Sequence, residues 1–406
     1  MRYGQTFKLL LGGRHLIVVG SAETIQNVFT AEHGALTSRT QGYDLLRVIG
    51  ADFSLQSKLF SIATEELFPI VDKRLSKRAL GDLTPGFAEV LFNRLRQITN
   101  DCHQMSLRRS LTEPLYVATN AILLGDRFSS DTYNDFLTFN NSIPSRLPVL
   151  PSCLFPSNRA RSRLLQYMYK YLEDVDSTNY DDKLGANFVD VFQRHNLTNK
   201  EGASLLLAFM LVVYINTFDA VFWLITRLLA DPPALAAVSD EINRTVREEF
   251  RGLQGFLANA SPEKLQSPSF AHLHSAVLET LWLSTLLTGL RDAERDIDVK
   301  DGERVISIRK GEHVIALTWA AHRDERLYPD GHRFIVDRFV QHNDRESMAQ
   351  MPGKAYFPFG GGRTLVSLLI YRCACLVTMA SLFTVQRQVV GSLRNQSVGH
   401  HISFAL

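Results

Sequence analysis

Tyr356 to Arg363 reads YFPFGGGR, two aromatics around a proline and then three consecutive glycines. Glycine adopts positive φ without strain and lets main chain approach a ligand closely. Proline sets an extended or turning approach. Residues of these types at this spacing build a rigid turn that presses backbone against something flat or bulky, or else a plain glycine-rich loop. A second group able to do chemistry comprises the charged residues Glu279 and Arg338. A third is Asn216-Thr217, inside the longest apolar run. An amide holds a water or a substrate but cannot supply a proton as an acid does. Asn216 also reads as a satisfied core amide.

The elements that position these residues follow from pattern. Phe7 to Leu11 and Leu16 to Val19 are apolar runs around Gly12-Gly13, a hairpin signal. Ser21 then caps a short helix, SAETIQNVF. Residues 60–125 are mostly helical by pattern, with Leu91, Leu95 and Ile98 recurring at helical spacing. Residues 144–163 are rich in Pro and Ser, and their four prolines forbid a continuous helix.

Thr198 and Glu201 form a capping-box pattern that opens the long apolar run. The run continues to Asp231-Pro232-Pro233, where one helix stops and another starts. A helix apolar nearly all round is a membrane span or the buried axis of a large domain. Asn216 and Asp219 in its middle favour the buried axis, because a charge there is costly in lipid. Residues 271–287 read as the helix that holds Glu279, and 304–318 as a hairpin turning at Lys310-Gly311.

The 406 residues suffice for a large core, and 45% hydrophobic with 21% charged content reads as globular. A net charge of +2 gives no general case for nucleic acid. Four cysteines at irregular spacing make no disulfide framework and favour a reducing compartment. Lys8, Arg14 and His15 break the N-terminal apolar residues, so the start does not read as a signal peptide. No phosphate loop, nucleophile elbow or zinc motif is present, and His272 and His274 stand too close in sequence to share a helix face.

The ordered series of hairpin, His322-Arg323-Asp324, Tyr328-Pro329-Asp330, Asp337-Arg338-Phe339 and Phe359-Gly360-Gly361-Gly362 resembles the cytochrome P450 family over most of residues 1–365. The resemblance implies a mostly α fold with a small β region: one haem-thiolate domain over residues 1–365, incomplete at both ends. It places Phe359, Gly360, Gly362 and Arg363 in the haem-binding loop and Arg291 at a haem propionate, against the alternative of a surface arginine. It gives Asn216-Thr217 the place of the acid and threonine that relay protons, and Glu279 and Arg338 a buried structural network. Asn-Thr followed by Phe-Trp is more similar to the sterol-hydroxylase and prostacyclin-synthase branch and its fungal relatives.

The resemblance further implies monooxygenation, or a related oxidation, of a hydrophobic sterol, terpenoid or secondary metabolite. It implies haem, dioxygen and electrons from an NADPH-cytochrome P450 reductase. By family the location is the cytosolic face of the endoplasmic reticulum membrane. Residues 144–163 then form a lid in peripheral membrane contact, or an ordinary basic loop. The chain reads as lacking the usual membrane anchor, which leaves a cytoplasmic location open.

Two departures cut across this picture. Seven residues after Phe359, where the resemblance places the thiolate cysteine, stands Val366, and two further on Leu368 replaces a glycine. In the family's Glu-x-x-Arg, Trp282 replaces the arginine, and no Trp-x-x-x-Arg marks a propionate-binding helix. Residues 366–406 form a tail of unrelated composition. Val366-Ser367 can be encoded by an intron-start sequence, so the tail reads as translated intron or a shifted frame. Cys373 and Cys375 lie seven and nine residues beyond the ligand position and read as small buried or free thiols. Thiolate ligation favours O–O cleavage, so the expectation is an enzyme inactive or impaired as written. The alternative is a non-catalytic binding or scaffold protein.

Overall fold

The structure is a computed structural model that describes residues 5–31, 34–100, 105–125, 128–142, 156–175, 184–284, 288–342, 347–349, 353, 355–358, 360–361 and 373–385. Most of its regular structure is helical, with a small sheet region, as the resemblance implies.

Strands β1 (Thr6–Leu11) and β2 (Arg14–Val19) form the first hairpin. Gly12 and Gly13 both take positive φ, 58° and 77°, the backbone a two-residue hairpin turn demands. Ser21 Oγ accepts the Thr24 N–H at 3.1 Å and starts the Ala22–Phe29 helix. The helical body follows, including Lys77–Asn100 and Leu107–Leu123. Leu91 and Leu95 are buried there and Ile98 partly so.

The axis of the body is Asn199–Ala230, called the core helix below. Its capping box is complete, with Thr198 and Glu201 satisfying each other's backbone N–H. It is long and apolar enough to cross a membrane, yet most of its side chains are buried within the protein. A half-buried stripe runs along one face through Val212, Asn216 and Asp219 to the exposed Trp223, at helical spacing. Asp231 then caps the next helix, Pro232–Glu248, by accepting the Ala234 N–H.

The Ala271–Ser284 helix carries Glu279 and Trp282 and is called the Glu279 helix below. Beyond it come β4 (Thr288–Ala293), β5 (Ile297–Asp301), β6 (Arg304–Ile308) and β7 (His313–Leu317), with β3 (Leu36–Thr37) earlier in the chain. They form a five-stranded sheet in the order β1-β2-β7-β4-β3 and a separate β5-β6 pair.

This corrects the hairpin read at Lys310-Gly311. β6 pairs with β5, while β7 leaves to lie parallel to β2 and antiparallel to β4. The two-residue turn is Gly302-Glu303, with Gly302 at φ 62°. Val314 and Ala316 of β7 are fully buried in the larger sheet's core, and that burial outweighs the local turn signal.

Two further expectations change. Residues 144–163 were to be irregular, but Pro156 begins the Pro156–Asp174 helix, since proline is tolerated in a first helical turn; residues 143–155 lie outside the described residues. Within the tail, Cys373–Val385 is a helix, and Cys373 to Leu382 are all buried in the main helical core. That burial makes this part of the tail a core element of the body.

Candidate active site

The glycine-rich turn is held from three sides. Tyr356 Oη donates to the Leu278 carbonyl at 3.0 Å. The Phe357 N–H donates to His322 Nε2 at 2.8 Å. Arg291 Nη2 donates to the Gly361 carbonyl at 3.0 Å. The two aromatics straddle two cores, Phe357 packing with the sheet's Ile17, Val19 and Val314 and Tyr356 with Leu278, Trp282 and Tyr328.

Both described glycines of the turn are needed as glycine. Gly360 takes φ 80°, a region that side-chain-bearing residues rarely adopt. At Gly361 an added Cβ would fall inside the Phe29 side chain. Arg291 lies over that same Phe29 ring, 4.9 Å from its centroid, and its other nitrogen donates to the Leu290 carbonyl. Burial pushes the Arg291 guanidinium below its usual range, opposed by Asp292.

The structure thus brings Arg291 and the turn together. Phe359, Gly362, Arg363 and Val366 lie outside the described residues. Asn216 and Thr217 sit apart on the core helix, and among the described residues no hydrogen bond ties them to the turn. Thr217 is buried with its Oγ1 donating back to the Val213 carbonyl at 2.7 Å, while Asn216 stands on the half-buried stripe. Asp219, one turn on, pairs with Arg108, whose guanidinium lies 5.4 Å from the Phe222 ring centroid.

Behind the turn lies a second group. Glu279 has no exposed surface, and both its oxygens accept from Arg338 Nε, at 3.1 and 2.9 Å. The Ile335 N–H adds a third bond at 3.0 Å. Burial pushes the Glu279 carboxyl up to about 7, against the pull of Arg338 and that N–H. The remaining Arg338 nitrogens donate to the carbonyls of Pro329, Asp330 and Arg333. Trp282 is fully buried, with the guanidinium carbons of Arg338 and Arg323 at 4.9 and 5.2 Å from its ring centroid. The indole therefore offers its ring to two cations.

Three residues that sequence reading gave no role complete the group. Arg227 donates to the Thr280 carbonyl and to Ser284 Oγ, and Arg323 to the Leu283 carbonyl, satisfying the last turn of the Glu279 helix. His322 links the Trp282 carbonyl to the glycine-rich turn. His322 and Arg323 belong to the ordered series, but no local pattern names their partners.

The family model for Cytochrome P450 matches residues 1–365. The chain belongs to the cytochrome P450 family. A crystal structure titled cytochrome P450DA heme domain matches this fold with a TM-score of 0.68 at 17% identity, covering 94% of this chain and 83% of that one. Cholesterol 7-alpha-monooxygenase of Cricetulus griseus is 26% identical over 239 residues, 57% of this chain and 47% of that protein. Cytochrome P450 26B1 of Xenopus tropicalis is 24% identical over 376 residues, 89% of this chain and 70% of that protein. The chain spans about half the length of the 7-alpha-monooxygenase it matches.

The P450 family and fold imply haem. The residues present do not supply its ligand at the expected place, since the hydrocarbon of Val366 cannot bind iron. Cys373 and Cys375 are buried in the tail helix among apolar side chains.

Proposed function

We propose that this chain carries the body of a cytochrome P450 monooxygenase for a hydrophobic substrate, of the sterol, terpenoid or secondary-metabolite class, and that with its present sequence it is inactive or strongly impaired. One observation carries the reading. The turn that approaches the ligand position is built and anchored, with Arg291 closing on Gly361, but the position itself is Val366. The sterol hydroxylases among its relatives support the substrate class. An NADPH-cytochrome P450 reductase is the partner of the active form. Exposed Leu10, Leu11 and Phe53 support peripheral contact with the endoplasmic reticulum membrane.

The test is the absorption spectrum of the purified chain, reduced and exposed to carbon monoxide. The unaltered chain lacks the red-shifted thiolate band, and Val366→Cys restores it in a fraction of the protein. A thiolate band from the unaltered chain overturns the reading. Sequencing the transcript across codon 365 tests the tail as translated intron, and a spliced product still reading Val366-Ser367 removes that idea.

A second reading is a non-catalytic binding or scaffold protein. The buried Cys373–Val385 helix favours it, because the tail then completes the core of the body instead of hanging from it. Binding of a hydrophobic ligand by haem-free protein supports this reading.

A further inference from the structure

We infer that His322 is the positioning residue that sets the entry of the glycine-rich turn, holding its main chain against the end of the Glu279 helix. The inference rests on the reading of that turn as the carrier of the ligand position, but its test needs no haem.

His322 has no exposed surface. Its Nε2 accepts from the Phe357 N–H at 2.8 Å, so in the neutral ring the proton sits on Nδ1, which faces the Trp282 carbonyl at 3.3 Å. One tautomer serves both partners, and the two partners lie 75 residues apart in the chain. The imidazole is stacked on the Phe357 ring at an interplanar angle of 4° and on the Tyr356 ring at 25°. The adjacent charge is Arg323, and the neighbouring titratable rings are the phenols of Tyr328 and Tyr356.

Phe357 is itself buried, so without His322 its N–H loses a partner where water does not reach. Three residues later Gly360 turns at φ 80°, and Gly361 packs on Phe29 and takes the Arg291 bond. The direction of the chain at Phe357 is passed to these glycines over a short covalent path. His322 and Arg291 therefore grip the turn at its two described ends, and neither grip uses a metal.

The test is amide hydrogen exchange in the full chain, read at Phe357 and, as an internal control, in the core helix. His322→Leu removes both bonds. It speeds exchange at Phe357 roughly tenfold, the loss of one net hydrogen bond, while core-helix protection is unchanged. His322→Gln places an acceptor near the Nε2 position and keeps Phe357 protected. His322→Asn, whose amide reaches only as far as Nδ1, loses that protection. Unchanged exchange at Phe357 in a folded His322→Leu chain overturns the inference. If the leucine variant does not fold, the Gln and Asn variants decide, and equal protection of Phe357 in both overturns it. A failed carbon monoxide spectrum bears on the haem reading alone and leaves this result standing.

Discussion

Arg338 Nε lies 2.9 Å from one oxygen of Glu279 and 3.1 Å from the other, with the carboxylate wholly buried. The pair ties the Glu279 helix to Asp337-Arg338-Phe339, with the Trp282 ring packed against the Arg338 guanidinium. Breaking such a pair by removing one partner leaves a buried charge uncompensated. Arg338→Ala lowers unfolding stability by about 3–5 kcal/mol, measured by urea titration. Glu279→Gln costs less, because an amide still accepts from the Ile335 N–H and from Arg338.

Trp282 is among the largest fully buried side chains, packed with Leu278, Tyr328 and Phe339. Truncation opens a cavity and strips two cations of their aromatic platform. Trp282→Ala therefore costs about 3–5 kcal/mol in the same titration, with loss of near-ultraviolet circular dichroism. Trp282→Phe keeps a ring face for Arg338 and Arg323 and retains most of the stability. Equal stability of the alanine variant and the parent would show that the indole fills no packed space.

The burial of His322 makes stability depend on acid. Its imidazole is pushed down from 6.5 to about 4, chiefly by burial, with Arg323 adding to the effect and the Trp282 carbonyl opposing it. The neutral ring is favoured in the folded state, so its contribution is complete above the unfolded value and is lost as pH falls from 6.5 toward 4. The full difference is about 3 kcal/mol. Glu279 works in the opposite sense: raised to about 7, it favours the folded state below 4.5 and loses that contribution as pH rises through 7. The two slopes partly cancel in the parent chain. Subtracting the stability curve of His322→Gln from that of the parent isolates the histidine, and a flat difference between pH 4 and 7 would contradict its burial as a neutral ring.

What the sequence made legible was whatever local chemistry dictates. The caps at Ser21 and Thr198 and the helix stop at Asp231-Pro232 all appear where their residue types demand. What it hid were relations between distant segments. The Lys310-Gly311 turn looks like a hairpin, and only the burial of Val314 and Ala316 in another sheet shows otherwise. His322 stands in a recognisable segment, but its acceptor role needs the Phe357 N–H, which no spacing rule brings near. Trp282 reads as a lost arginine until Arg323 and Arg338 are found on its ring.

Of the two described glycines of the turn, Gly361 is the one whose missing side chain matters more. An added Cβ would overlap the Phe29 ring, which also packs edge-on against Phe357 and carries Arg291. Gly361→Ala therefore forces the turn or the ring to move, costing about 1–3 kcal/mol as overpacking does. Phe29→Ala opens the space that the new methyl needs. In the double variant the alanine at position 361 costs less than it does alone, and a double-mutant cycle yields a coupling of about 1 kcal/mol or more with relief as its sign. Purely additive losses would mean that the turn does not rest on Phe29. Arg291 would then hold the Gly361 carbonyl without the ring beneath it, and the packing argument for a glycine at this position would fail.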